Sequence, residues 1–331
     1  MNSIKEFKLI NHTLRPDFIF ISFSNNSGIQ IIFCIAFFTM YSLTLLGNGL
    51  IIILTLVDSA LHTPMYFFLR NLSFLEIWYT TVTLPKMLVN FASEAKSISF
   101  AGCAAQVYFL ISLGTVECYL LAFMAYDRYT AICCPLHYPV IMNRKACAQM
   151  AVTSWLCGIL MPLGNVVWIF TLPYCGPNKI NHFFCDVPPV LKLACTDTTK
   201  NEISFMTVSA LIILFPFLLV LVSYIRILVT VLKMPSAEGR RKAFSTCSYH
   251  LIVVTLFYGS AGAMYLRPQS SHSENIDRLV ALFYSIVTPM LNPMIYSLRN
   301  KEFKDALRRL RGKQGFLCEL GKHVCERRDF V

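Results

Sequence analysis

An all-α membrane protein, a bundle of seven transmembrane helices followed by a short amphipathic eighth helix, is the fold class this sequence predicts. Three observations carry it. Apolar residues make up 56% of the 331-residue chain and charged residues only 14%, about half the usual charged share, and the mean hydropathy is +0.57. The apolar residues fall in long blocks that match the roughly 20-residue helix needed to cross a hydrocarbon core about 30 Å thick. Lys and Arg are distributed unevenly between the alternate connections. A membrane barrel would instead show alternating segments of about ten residues, and no internal repeat of the transporter kind is visible.

Residues 1–28 read as an extracellular tail without an apolar signal core, so the first helix, about 29–57, is expected to act as an uncleaved anchor. Two glycosylation sequons lie in that tail, at Asn11 and Asn25, and Asn11 stands farther from the membrane. The segment 64–90 has the right length but carries Arg70, Glu76 and Lys86, which makes it the weakest span by hydropathy. Charge-free blocks seed further helices at about 100–131, 146–172, 201–232, 243–266 and 276–298. Residues 29–298 therefore form the transmembrane domain and 299–331 a cytoplasmic tail. Within that tail Phe303, Leu307 and Leu310 recur at helical spacing among basic residues, so 301–312 is expected to lie on the inner leaflet.

Orientation follows from charge. With the N-terminus outside, seventeen Lys and Arg fall on the cytoplasmic side and nine on the other, the asymmetry of a protein inserted N-out and C-in. The net charge of +11 is thereby assigned to a membrane surface and its lipids rather than to nucleic acid. The thirteen cysteines leave at least one outside any intramolecular pair. Only Cys103, Cys175, Cys185 and Cys195 sit where oxidation is expected, and the sequence leaves three pairings open among them. Cys318 and Cys325 lie in the tail as palmitoylation candidates or free thiols.

Glu117 lies eleven residues above Arg128 on the third helix, and Glu76 lies twelve above Pro64 on the second. Both carboxyls are thus near the midplane, where a lone charge costs about 2.5–3.5 kcal/mol. Two facing carboxylates also repel. They must share protons, hold a sodium ion, or be neutral acids that only pack. Leu110, Ile111, Gly114, Thr115 and Cys118 line the outer half of the same helix face and suit an uncharged ligand, or plain helix packing. Pro162, Pro216, Pro289 and Pro293 fall inside helices and predict kinks. Phosphate loops, zinc spacings and nucleophile elbows are missing, so no enzyme is expected and no cofactor beyond the sodium candidate. The seventh helix has no Lys for a retinal Schiff base.

Several strings then point to one family. They are Gly47-Asn48, LHTPMYFFLRNLSFLE (61–76), MAYDRYTAICCPLHYPVIM (124–142), Ser223-Tyr224, KAFSTCSYHLIVVTLFYG (242–259) and PMLNPMIYSLRN (289–300). With them the chain resembles the rhodopsin-like G-protein-coupled receptors, and within these the olfactory receptors. Phe257-Tyr258-Gly259 replaces the Trp-x-Pro element of other rhodopsin-like receptors, which agrees with the olfactory branch.

The resemblance implies the pairs Cys103–Cys185 and Cys175–Cys195. It implies an odorant pocket at Leu110, Ile111, Gly114, Thr115, Cys118, Val208, Ser209, Tyr258, Tyr265 and Leu282, and a cation or proton site at Glu76 and Glu117. Leu110 stands where amine receptors carry Asp, which leaves the acidic pair as the only deep charge. Asp127-Arg128-Tyr129 matches an inner switch in which Asp127 holds Arg128 at rest. Tyr224 and the Asn292-Pro293…Tyr296 element match partners of the open state. The implied function is an odorant receptor in the plasma membrane, coupled to a stimulatory heterotrimeric G protein and cyclic AMP. The G protein would enter an inner cleft lined by Arg128, Tyr224, Tyr296 and the Lys233–Lys242 loop. A rhodopsin-like receptor for a non-odorant metabolite is the near alternative. An ion-coupled transporter or channel built on Glu76 and Glu117 is the distant one.

Overall fold

The computed structural model describes residues 17–21, 27–93, 96–175, 177–267, 273–297 and 302–310. The sequons at Asn11 and Asn25, and Cys318 and Cys325, lie outside the described residues.

Helix α1, Ser27–Val57, is 31 residues long and turns Ile31, Ile32, Ile35, Phe38 and Leu46 outward, as a lipid-facing helix does. Helix α2, Pro64–Ala92, starts on a proline, whose fixed φ and missing N–H suit a first turn. Among the described residues six other helices are long and apolar enough to cross a membrane. Helix α2 is less apolar because of its three charges, yet at 29 residues it spans about 43 Å and packs against both α1 and α3. That contact makes it the seventh span.

Helix α3, Phe100–Cys133, opens on Ser99, whose Oγ accepts from the Gly102 N–H at 3.1 Å. It is the central element, touching α2, α4, α5 and α6. Helix α4, Arg144–Thr171, is capped by Asn143, whose Oδ1 accepts from Ala146 N at 2.9 Å. It breaks at Met161-Pro162 into Arg144–Leu160 and Leu163–Thr171, because the proline supplies no N–H to continue the ladder. Helix α5, Thr199–Leu232, absorbs Pro216 without interruption. Helix α6, Ala237–Tyr265, begins six residues before the expected 243. Ser236 caps it by accepting from Gly239 N at 3.2 Å, so only 233–236 remain of the expected Lys233–Lys242 loop. Helix α7 runs as Glu274–Leu282, a wider π-helical stretch Phe283–Val287, and Thr288–Ser297. Pro289 follows that stretch, and Pro293 lies inside the last segment.

Close approaches explain two glycines. A Cβ on Gly47 would stand 2.9 Å from Pro293 Cβ, and the adjacent Asn48 donates to Pro289 O at 3.3 Å, so Gly47-Asn48 clamps α1 to α7. A Cβ on Gly158 would lie 2.7 Å from Ser112 O, so the glycine lets α4 press on α3.

The short helix α8, 302–310, departs from its expected setting. Phe303 and Ala306 are buried in the bundle core, with Leu307 and Leu310 packed against it. Tyr66 donates to Glu302 at 2.9 Å, and Arg309 pairs with Asp58 at 2.8 Å. The apolar stripe is covered by protein, because these two bonds fix the helix against the ends of α1 and α2 that carry Asp58 and Tyr66.

Three short strands were not legible beforehand. Strand β1, Phe18–Phe20, runs between β2, Ser97–Ile98, and β3, Lys179–Ile180, antiparallel to the first and parallel to the second. Phe18 and Phe20 bury beneath them, and the Phe18 ring lies 5.8 Å from Phe100. Segments of two or three residues carry no period to read. Contact with the loops around them makes them strands.

Candidate functional site

Cys103 and Cys185 are joined, with Cα atoms 5.5 Å apart, and so are Cys175 and Cys195, at 5.8 Å. The first bond ties the long loop between α4 and α5 to the head of α3. Gln106 reinforces the tie, its Oε1 accepting from Cys185 N at 2.8 Å. The loop is thereby drawn down over the helices. His182 is buried in it, with Nδ1 3.1 Å from Phe184 O, and burial lowers its pKa to about 4.

Below the loop is a cavity with a free volume of about 40 Å³, room for about three waters at 10–15 Å³ each. Leu110, Ile111, Gly114, Thr115, Cys118, Ser209 and Tyr265 line it, seven of the ten residues named from the resemblance. Tyr79, Phe205, Ile212, Ile213, Phe257, Ala261 and Tyr284 complete the wall. Val208 and Leu282 are half-buried in the packing beside it. Tyr258 turns away, because its buried hydroxyl donates to Cys118 O at 2.7 Å and fastens α6 to α3.

The roof holds an acidic side chain that sequence reasoning missed. Asp186, fully buried, accepts from Tyr284 Oη at 2.6 Å and from Tyr265 Oη at 3.2 Å. The two tyrosines also bond each other at 3.1 Å, and both line the cavity. The sequence signal for Asp186 was adjacency: the residue after Cys185 follows that cysteine inward when the disulfide closes.

Beneath the cavity Glu76 and Glu117 are both fully buried. Asn292 Nδ2 donates to Glu76 Oε1. Among the described residues Glu76 Oε2 and both Glu117 oxygens meet no hydrogen-bond partner. Three acceptor oxygens and no donor fit a proton or a small hard cation, which takes oxygen ligands.

At the far end the switch residues are engaged differently from expectation. Asp127 accepts from Tyr138 Oη at 2.7 Å, while Arg128 donates to Met65 Sδ. Among the described residues no ion pair joins Asp127 to Arg128, because Tyr138 takes the carboxylate first. Tyr224 bonds His250 Nδ1 at 2.7 Å. Tyr129 packs with Ile227, Val231 and Cys247 in an apolar cluster of α3, α5 and α6. Asn292 and Pro293 lie on α7 next to Glu76, and Tyr296 lies one turn on, its side chain outside the described set.

A family model described as olfactory receptor matches residues 37–313. The chain belongs to the olfactory receptor family. It is 55% identical to olfactory receptor 10A7 of Homo sapiens over 90% of this chain and 95% of that one. It is also 55% identical to human olfactory receptor 10A4, over 91% and 96%. Among solved structures, squid rhodopsin matches with a TM-score of 0.70 at 20% identity, covering 86% of this chain and 81% of that one. The fold is thus the rhodopsin-like seven-helix bundle. This olfactory receptor is a multi-pass plasma-membrane protein and a signalling receptor, not an enzyme.

Proposed function

We propose that this olfactory receptor takes a small, uncharged volatile molecule into the cavity below Asp186 and relays its presence to a stimulatory heterotrimeric G protein, raising cyclic AMP. The observation that carries the reading is the cavity itself, apolar except for Tyr79, Tyr265, Tyr284, Thr115 and Ser209. Apolar walls reward burial of an apolar guest, and the hydroxyls orient one polar atom. At about 40 Å³ the space is smaller than a guest of about ten heavy atoms, so binding must spread the lining side chains. A ligand that fits the spread form better than the contracted one shifts the population toward it.

The N-terminus lies outside and the C-terminus in the cytoplasm, the reading that the Lys and Arg asymmetry supports. The G protein then meets the end that carries Arg128. There the apolar cluster of α3, α5 and α6 fills the cleft an incoming helix needs, so the form described is the closed one. Asn11, and Asn25 after it, are the glycan acceptors. Glu76 and Glu117 hold a proton or a sodium ion, which offsets the repulsion between two buried carboxylates.

A cyclic AMP reporter in cells, run against an odorant panel with surface-level controls, tests the whole. Leu110→Trp, which fills the cavity, should abolish the agonist response, and Arg128→Ala should uncouple it. Unchanged agonist responses in both variants would refute the assignment. Replacing sodium by choline should shift wild-type potency and leave Glu117→Gln unaffected. An equal shift in both removes the cation from the account.

A further inference from the structure

A second cavity, of about 730 Å³, opens at the end of the bundle that carries Arg128, between the inner ends of α1, α2 and α4. Its wall includes Arg70, Arg144, Tyr66, Phe67, Tyr138 and Met142. Arg70 is half-buried, and its guanidinium lies 5.6 Å from the centre of the Phe67 ring. Among the described residues neither Arg70 nor Arg144 has an ion pair or a hydrogen bond.

Arg70 stands six residues into α2, about 9 Å inward from Pro64, where an uncompensated charge is costly. The carboxylates nearby are already committed. Asp58 pairs with Arg309 at 2.8 Å, Glu302 accepts from Tyr66 at 2.9 Å, and Asp127 accepts from Tyr138 at 2.7 Å. Among the described residues, then, no nearby carboxylate is left to pair with Arg70. At that depth the anion within reach is a lipid phosphate, and Phe67 and Met142 offer apolar surface to the first carbons of its chains.

We propose that this cavity binds one anionic glycerophospholipid, with the headgroup phosphate between Arg70 and Arg144. The guanidinium fork suits phosphate oxygens better than an ammonium does. The site is separate from the odorant cavity and from the acidic pair. That its leaflet is the cytoplasmic one rests on the orientation proposed above. Lipid binding itself does not, because a nanodisc presents the same lipids on both faces.

The test uses the full chain in nanodiscs of phosphatidylcholine containing a minor share of phosphatidylserine, with native mass spectrometry counting the lipids retained. The wild type should keep one phosphatidylserine preferentially. Arg70→Gln and Arg144→Gln should each weaken that preference about fivefold, equivalent to about 1 kcal/mol per basic residue at an anionic surface. Arg70→Lys should retain part of it. Arg144 is exposed at the start of α4, so its variant reads binding without disturbing the fold. Equal retention in both Gln variants overturns the proposal. Loss of retention on adding inorganic phosphate also overturns it, by making this a site for soluble anions.

Discussion

The two ends of the bundle are held by different kinds of bond. At the outer end two disulfides, a three-stranded sheet and the Arg267–Asp277 ion pair at 2.7 Å fix the loops. Asp186 adds bonds from two tyrosine hydroxyls just below them. At the inner end α3, α5 and α6 meet through apolar packing and single uncharged bonds, such as Tyr224 to His250. The difference teaches where motion is cheap. A pocket keeps its shape when its roof is covalently tied, whereas an end that must open is better closed by contacts worth about 1 kcal/mol each.

The sharpest way to break this comparison is to cut the outer tie. Cys103→Ser should cost about 4–5 kcal/mol by the loop-entropy account, since the bond spans 82 residues. Surface immunostaining and thermal melting should both fall, and unchanged melting would mean that the outer end is no more fixed than the inner.

Acid should loosen the outer end next. His182 is held neutral in the folded loop, its pKa lowered to about 4 by burial, whereas in an unfolded chain it protonates near pH 6.5. The unfolded state therefore binds the extra proton first as pH falls. Stability is fully present above about pH 6.5 and is lost progressively down to about pH 4, by about 3 kcal/mol at the limit. Melting temperatures across that window should drop in the wild type and drop less in His182→Asn.

Asp186→Asn weakens the roof without removing its volume. Charge-assisted bonds are worth about 1.5–3 kcal/mol, so agonist potency in the cyclic AMP assay should fall at least about tenfold at unchanged surface level. Equal potency would show that the roof does not shape the cavity.

The smallest effect belongs to the inner end. Tyr224→Phe removes one hydroxyl bond from the closed form, about 1 kcal/mol, and should raise basal cyclic AMP about fivefold. A lower basal level would mean that the hydroxyl serves the open form.

The sequence by itself determined the seven-helix bundle. Helix length, charge and 1.5 Å of rise per residue are local quantities, and lipid forces each span to satisfy its own backbone. Of the ten pocket residues that the resemblance implied, seven line one cavity along α3, α5 and α6, because a helix face is periodic. Asp186, Tyr284 and the strand Phe18–Phe20 escaped that reading. Their roles arise where a disulfide folds a loop onto helices distant in sequence, and no period records such a meeting. The same holds for Tyr138, which takes Asp127 from Arg128, and for α8, whose amphipathic pattern read as a helix on the leaflet but whose Phe303 and Ala306 are covered by protein. A pattern shows that a face must be covered, and only the assembled bundle decides what covers it.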